Sequence, residues 1–247
     1  VYTMASGDTD NVSATLHIRF SDLADNAGDN VTTTTDGSVV FFDRTPPILD
    51  NVTNVPTPTN DNTPDYTFSS NEAGTITYGG ACGSSSSSSA SSGDNNTVTL
   101  TQPDNSTPLN DGTYDNCTIT VTDNATNESS AHAVQGLEFD NSSGTTRNYF
   151  TIGATKPALL EITPVSPQTK DTTPDYTFFS TLSGTINYGG SCSGDNDSLL
   201  ALADNNTVTF NALPDGTYSN CTITVTDNAT NASSPRTVRG KDQLGIT

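Results

Sequence analysis

The chain has 247 residues, 28 Asp and Glu against 8 Lys and Arg, a net charge of −20, and a hydrophobic fraction of 31%. A surface this acidic repels nucleic-acid phosphates and anionic bilayers, so both are poor partners, and no stretch approaches the roughly 20 apolar residues of a membrane helix. The small apolar share fits several modest cores better than one large one.

From the N-terminus, Ala14, Leu16, Ile18 and Phe20 alternate with Thr15, His17 and Arg19. This period-two pattern predicts a strand with one apolar face. Such alternation also argues against the disorder that an acidic, Lys-poor composition suggests. A turn follows over Asp22 to Asp29, then a strand ending at Phe41 and Phe42. Three strands with one apolar face cannot bury it unaided. Residues 1–44 are therefore expected to be part of a domain, completed by a longer polypeptide or by another subunit. Val1 opens no signal peptide, so the chain is expected to be mature or excerpted.

The rest is a repeat. Thr63-Pro64-Asp65-Tyr66-Thr67-Phe68 recurs as Thr173-Pro174-Asp175-Tyr176-Thr177-Phe178. Gly74-Thr75-Ile76-Thr77-Tyr78-Gly79-Gly80 recurs from Gly184, and Asp111-Gly112-Thr113-Tyr114 from Asp215. Asn116 to Asn127 recurs almost letter for letter at Asn220 to Asn231. The repeats are assigned to 45–153 (repeat 1) and 154–247 (repeat 2). In repeat 1, Tyr66, Phe68 and Ser70 share a face, as do Ile76, Tyr78, Gly80 and Cys82, Val98 and Leu100, and Cys117, Ile119 and Val121. Thr and Ser between them suit the wet face of an antiparallel sheet. Turn residues mark the breaks: Asn71-Glu72-Ala73-Gly74, Asp111-Gly112 and Asp123-Asn124. The low-complexity run Ser84 to Ser89 is expected to be a flexible connection and a candidate for O-glycosylation. Repeat 2 has Leu199-Leu200-Ala201-Leu202 there, enough for a short strand or a helical turn. The fold class is all-β, in tandem sandwiches of about 100 residues.

Cys82, Cys117, Cys192 and Cys221, two per repeat, suggest disulfides and an oxidising compartment. Metal or redox chemistry fits less well, because there is no Cys-x-x-Cys and the only histidines are His17 and His132. Asn-x-Ser/Thr sites such as Asn11, Asn51, Asn105 and Asn141 are candidate glycan acceptors, set against chance in an Asn- and Thr-rich chain.

The Thr-Pro-Asp-Tyr start, the Asp-Gly-Thr-Tyr turn, the Thr-Asp-Asn-Ala-x-Asn hairpin and the linker Asp43-Arg44-Thr45-Pro46-Pro47 together resemble the bacterial immunoglobulin-like repeats of large secreted adhesins and surface filaments. The resemblance covers nearly the whole chain. It implies seven-stranded Greek-key sandwiches used as extracellular spacers, with residues 1–44 holding part of strand E and strands F and G. Two departures stand out. The hairpin of that family usually has Gly where this chain has Thr126 and Thr230, and a β-branched residue disfavours φ > 0. The second linker has Gly153 where the first has Asp43. In that topology strands C and F are neighbours, which pairs Cys82 with Cys117 and Cys192 with Cys221. Each bond closes a loop of about 30 to 36 residues, worth roughly 3.5 to 4 kcal/mol in the chain-entropy model.

No catalytic site is expected. His17 faces outward, His132 lies in the last strand of repeat 1, and neither has a Ser or Cys partner at a recognisable spacing. Calcium at the junctions is the stronger candidate, since it takes six to eight oxygen ligands. The same topology gathers Asp8, Asp10, Asp43, Glu72 and Asp123 at the first junction, and Asp111 and Asp227 at the second, with plain acidic turns as the alternative. Tyr149 and Phe150, in the insertion 136–152, are the aromatics to test for ligand binding. The leading expectation is a secreted, non-enzymatic building block of a cell-surface adhesin or filament. Its partners would be further copies or neighbouring domains of the same kind, assembly by strand donation being the sharper form. A glycan- or receptor-binding adhesin domain and a surface-layer segment are the alternatives.

Overall fold

The computed structural model describes residues 12–13, 16–39, 41–93, 95–140, 143–194 and 199–240. Asp8, Asp10, Asn11 and Asn141 lie outside them. Among the described residues all regular structure is β, as expected, and no helix is long and apolar enough to cross a membrane.

The strands in chain order begin with β1 (Val12–Ser13) and β2 (Phe41–Phe42). Next come β3 (Leu49–Thr53), β4 (Val55–Thr57), β5 (Asp65–Ser70), β6 (Gly74–Gly79), β7 (Gly83–Ser84), β8 (Ser89–Ala90) and β9 (Asn95–Thr101). They continue through β10 (Gly112–Tyr114), β11 (Thr118–Thr122), β12 (His132–Ala133), β13 (Gly136–Asp140), β14 (Ser143–Arg147) and β15 (Phe150–Ile152). Repeat 2 holds β16 (Leu159–Thr163), β17 (Asp175–Ser180), β18 (Gly184–Gly189), β19 (Leu200–Ala201), β20 (Asn205–Thr209), β21 (Thr222–Thr226) and β22 (Arg236–Thr237). Two compact units divide the chain. One comprises Val1–Asn54, Asp65–Ser106 and Asn116–Val134; the other comprises Val55–Pro64, Thr107–Asp115 and Gln135–Thr247.

In the first unit two four-stranded sheets, β3-β5-β9-β7 and β12-β11-β6-β8, form a sandwich-like pair. The period-two reading places the core correctly. Tyr66 and Phe68 on β5, Val98 and Leu100 on β9, Ile76 on β6, and Ile119 and Val121 on β11 are all buried. Each contributes about 1.5–3 kcal/mol on leaving water. On the other face Thr67 and Thr97 share a hydroxyl hydrogen bond of 2.9 Å. Both expected disulfides are present. Cys82–Cys117, with Cα atoms 5.3 Å apart, joins the chain just beyond β6 to the chain just before β11. Gly80 makes that approach feasible. It sits at φ 73°, and a Cβ there would lie 1.9 Å from the Asn116 carbonyl oxygen.

The run Ser84 to Ser89 is not the expected loose tether. It opens as β7, paired with β9, and closes as β8, paired with β6, so it carries the chain from one sheet to the other. Serine makes this crossing possible because its hydroxyl bonds nearby backbone. Ser86 N–H donates to Ser84 Oγ, Thr99 N–H donates to Ser86 Oγ, and Tyr78 O–H donates to the Ser87 carbonyl.

The first segment also belongs to this unit. The expected strand, turn and strand appear as a hairpin held by isolated bridges, Ile18 with Val31 and Ser21 with Ala27, beside the short β1–β2 pair. Its bridges have the register of the repeats. Ile119 faces His132 and Thr122 faces Glu128 in repeat 1; Ile223 faces Arg236 and Thr226 faces Ala232 in repeat 2. The burial differs. Ile18 and Phe20 are 48% and 58% exposed, whereas their counterparts Ile119 and Val121 are fully buried.

The second unit contains the other sandwich-like pair, β16-β17-β20 with β19-β18-β21-β22. Its core is Tyr176, Phe178, Ile186, Val208, Phe210, Ile223 and Val225 around the Cys192–Cys221 disulfide. The Leu199–Leu202 run forms the edge strand β19, leaving Leu199, Leu200 and Leu202 exposed. The same unit holds the sheet β14-β13-β4, in which β13 runs parallel to β4, and the pair β10–β15. The parallel bridge Val165–Gly240 repeats the Val55–Gly136 pairing one repeat later.

Candidate functional site: an acidic cluster and linker-clamping loops

The loop between β11 and β12 is closed by its own first residue. Asp123 N–H donates to the Asn127 carbonyl at 3.0 Å, and the Asp123 carboxylate accepts from Asn127 N–H and from Asn127 Nδ2, both at 2.8 Å. The same Nδ2 donates to the carbonyl of linker residue Asp43 at 3.2 Å. Repeat 2 builds the loop identically. Asp227 accepts from Asn231 N–H and Nδ2, and Asn231 Nδ2 donates to the Gly153 carbonyl of the second linker. The first segment has the loop as well, with the Asp22 carboxylate accepting from Ala24 N–H, Asn26 N–H and Asn26 Nδ2. The fourth loop residue takes positive φ in all three: Asp25 at 65°, Thr126 at 72° and Thr230 at 68°. The turn type that a β-branched residue left open is thus the left-handed one. Sequence reading placed a turn over Asp22 to Asp29 but passed over the Asn clamps; their signal was Asp-x-Ala-x-Asn, present three times.

Of the five acidic residues assigned to the first junction, Asp43, Glu72 and Asp123 lie together, one carboxylate oxygen of each within 4.8 Å of the others. Each stands on a different piece of chain: the linker, the β5–β6 turn and the start of the β11–β12 loop. Burial raises the Asp123 pKa, but hydrogen bonds from the Asn127 side chain, from backbone N–H groups and with Glu72 outweigh it and hold the carboxyl below 3.8. Close like charges disfavour one another's ionisation, which a proton or a cation between them relieves. The donor set is all oxygen, the chemistry a hard divalent ion takes.

The second junction is built differently. The Asp111 carboxylate accepts from Ala154 N–H at 2.7 Å and Thr155 N–H at 3.1 Å. Hydrogen bonding from the Thr155 side chain, then from the two amides, lowers its pKa against the effect of burial. Asp227 is occupied by its own loop. Gly153 stands at the Asp43 position and Leu182 at the Glu72 position. Ser180 Oγ donates to the Leu182 carbonyl as Ser70 Oγ donates to that of Glu72, which fixes the equivalence. Among the described residues, Asp43, Glu72 and Asp123 are the one group of three with metal-site spacing.

Phe150, expected to be an exposed aromatic, is fully buried. The end of the insertion folds back as β15 onto β10 and stacks its ring on Tyr114, with centroids 5.2 Å apart. It is unavailable to a ligand; Tyr149 beside it is partly exposed. His17 is exposed on its hairpin, and His132 is half-buried with Nε2 3.0 Å from the Tyr66 hydroxyl. Burial lowers the His132 pKa, and the charge of Asp50 partly opposes this.

No family model, curated protein or solved structure matches the chain.

Proposed function

We propose that the chain is an extracellular structural building block of a cell-surface adhesin or filament, made of immunoglobulin-like Greek-key sandwiches at 45–153 and 154–247 with part of another at 1–44. Strand order supports this. β3, β5 and β9 act as A, B and E, with β8, β6, β11 and β12 as C′, C, F and G, and repeat 2 has the same order. Two tyrosine corners add to it. Tyr114 O–H donates to the Asn110 carbonyl at 2.9 Å and Tyr218 O–H to that of Pro214 at 2.8 Å, each three residues before the second cysteine of its repeat. The disulfides fit an oxidising compartment.

The observation that carries the reading is the clamp. In each repeat the Asn of the F–G loop holds the backbone carbonyl of the linker residue ahead of it. Asp111 holds the next two linker amides from the other side. Linkers fastened in this way suit a load-bearing array better than independent hinged modules. Calcium at Asp43, Glu72 and Asp123 belongs to the same reading, as a further brace on the first linker. Partners are neighbouring domains or copies of the same kind, with strand donation to the first segment as the assembly device. Negative-stain microscopy of native material is the test. Fibres or a lattice are expected; isolated compact particles overturn the reading.

A further inference from the structure

We propose that Asn124 and Asn228 carry N-linked glycans, placed by a transferase that reads Asn124-Ala125-Thr126 and Asn228-Ala229-Thr230. The inference rests on the extracellular reading above, since this acceptor motif serves on surface loops of secreted chains. The sugar comes from a glycosyl phosphate donor. Transfer forms a bond from the asparagine Nδ2 to the anomeric carbon, breaks the bond from that carbon to the donor phosphate, and releases the phosphate with the amide proton.

The strained threonines carry it. Thr126 at φ 72° and Thr230 at φ 68° stand where Gly or Asn fits and a β-branched side chain crowds its own backbone. Strain of this kind persists where function holds it. Loop closure does not require threonine. The Asp123–Asn127 and Asp227–Asn231 bonds leave its hydroxyl unused. The 3.4 Å bond from Asn60 Nδ2 to the Thr230 hydroxyl offsets the strain only in part. In the first segment the same loop closes with Asp25 at that position, at φ 65°. There Leu23 replaces the asparagine, so both acceptor positions change together. Strained threonine thus accompanies asparagine two residues before it, with a middle residue other than proline, the pattern that N-linked transfer demands. The motif on strands is different. At Asn95 and Asn205 its threonines are explained by hydroxyl bonds of 2.9 Å, Thr97 with Thr67 and Thr207 with Thr177. The loop also presents its second residue outward. Asn124 and Asn228 are exposed, and Leu23 in the first loop is wholly so, so a side chain there is displayed without being packed. The neighbouring acceptor motifs are spent, because Nδ2 of Asn127 and of Asn231 holds a linker carbonyl.

Peptide mapping by mass spectrometry, on the chain from its native source, tests this. Asn124 and Asn228 are expected to carry saccharide mass increments, and Asn127 and Asn231 to be bare. Two variants made in the same source separate acceptor chemistry from loop structure. Thr126→Asn relieves the strain and removes the acceptor hydroxyl, so the increment at Asn124 is expected to vanish while that at Asn228 stays. Thr126→Ser keeps the hydroxyl and is expected to keep both increments. Melting of repeat 1 at or above its unaltered temperature shows that the loss in Thr126→Asn is not a loss of fold. Bare Asn124 and Asn228 in native material, or an increment at Asn124 that survives Thr126→Asn, overturn the proposal. Bare loops in material that forms fibres remove the glycans and keep the building-block reading; saccharide on both loops of isolated compact particles does the reverse.

Discussion

Thr126 and Thr230 occupy the left-handed region, where a β-branched side chain crowds its own backbone at a cost of roughly 1–2 kcal/mol. Asn tolerates this conformation. Thr126→Asn is therefore expected to stabilise its repeat by about 1 kcal/mol. Thr230→Asn is expected to gain less, because Asn60 Nδ2 donates to the Thr230 hydroxyl at 3.4 Å. Urea unfolding of the two variants decides the order. Titration also belongs at this scale. The folded carboxyls of Asp111 and Asp123 bind protons below their ordinary 3.8, so their contribution is intact at neutral pH. As pH falls below about 4 the unfolded chain takes up protons first, and stability is lost through the folded pKa values. His132 acts in the same direction in a higher window. Its folded pKa is depressed from 6.5, so the fold weakens as pH drops below that value. Thermal scans from pH 8 to 3 should show a shallow decline starting near pH 6.5, absent in His132→Gln, and a steep one below pH 4.

At the scale of elements, each disulfide ties two neighbouring strands of one sheet across 35 or 29 residues. Replacing Cys82 and Cys117 together by Ala is expected to cost about 3.5–4 kcal/mol, with repeat 2 unchanged; differential calorimetry resolves the two. These strands were legible in the sequence because one-face burial imposes a period of two, and Tyr66, Phe68, Ile119 and Val121 obey it. The serine run was illegible because hydroxyl-to-backbone bonding leaves no apolar period. Phe150 was misread for a different reason. Its strand pairs with β10, 36 residues upstream at Tyr114, and no local pattern encodes that pairing. The acidic cluster was readable once the topology was assumed, because the linker, the β5–β6 turn and the β11–β12 loop each carry a carboxylate there. The Asn clamps were not, because one amide bonding a carbonyl 84 residues away resembles any turn asparagine.

Across the whole molecule, the two linkers differ in chemistry while sharing a clamp. Three carboxylates surround the first; Gly153 and Leu182 remove two of them from the second. Millimolar calcium is expected to raise the melting temperature of repeat 1, excess chelator to reverse this, and repeat 2 to show no response. Adding carboxylates through Gly153→Asp and Leu182→Glu should transfer the response to repeat 2, and calorimetry with and without calcium reads both outcomes.

The disulfides also govern what happens under tension. A pulled chain pays out slack as its sheets come apart, but the spans linking bonded cysteines, 35 and 29 residues in sequence separation, cannot join the tether. At about 3.5 Å per residue, some 120 Å and 100 Å of contour length stay locked in reserve. Oxidised, each module goes taut once the residues outside that span are extended; reduction would release the remainder and lengthen the leash by about half again.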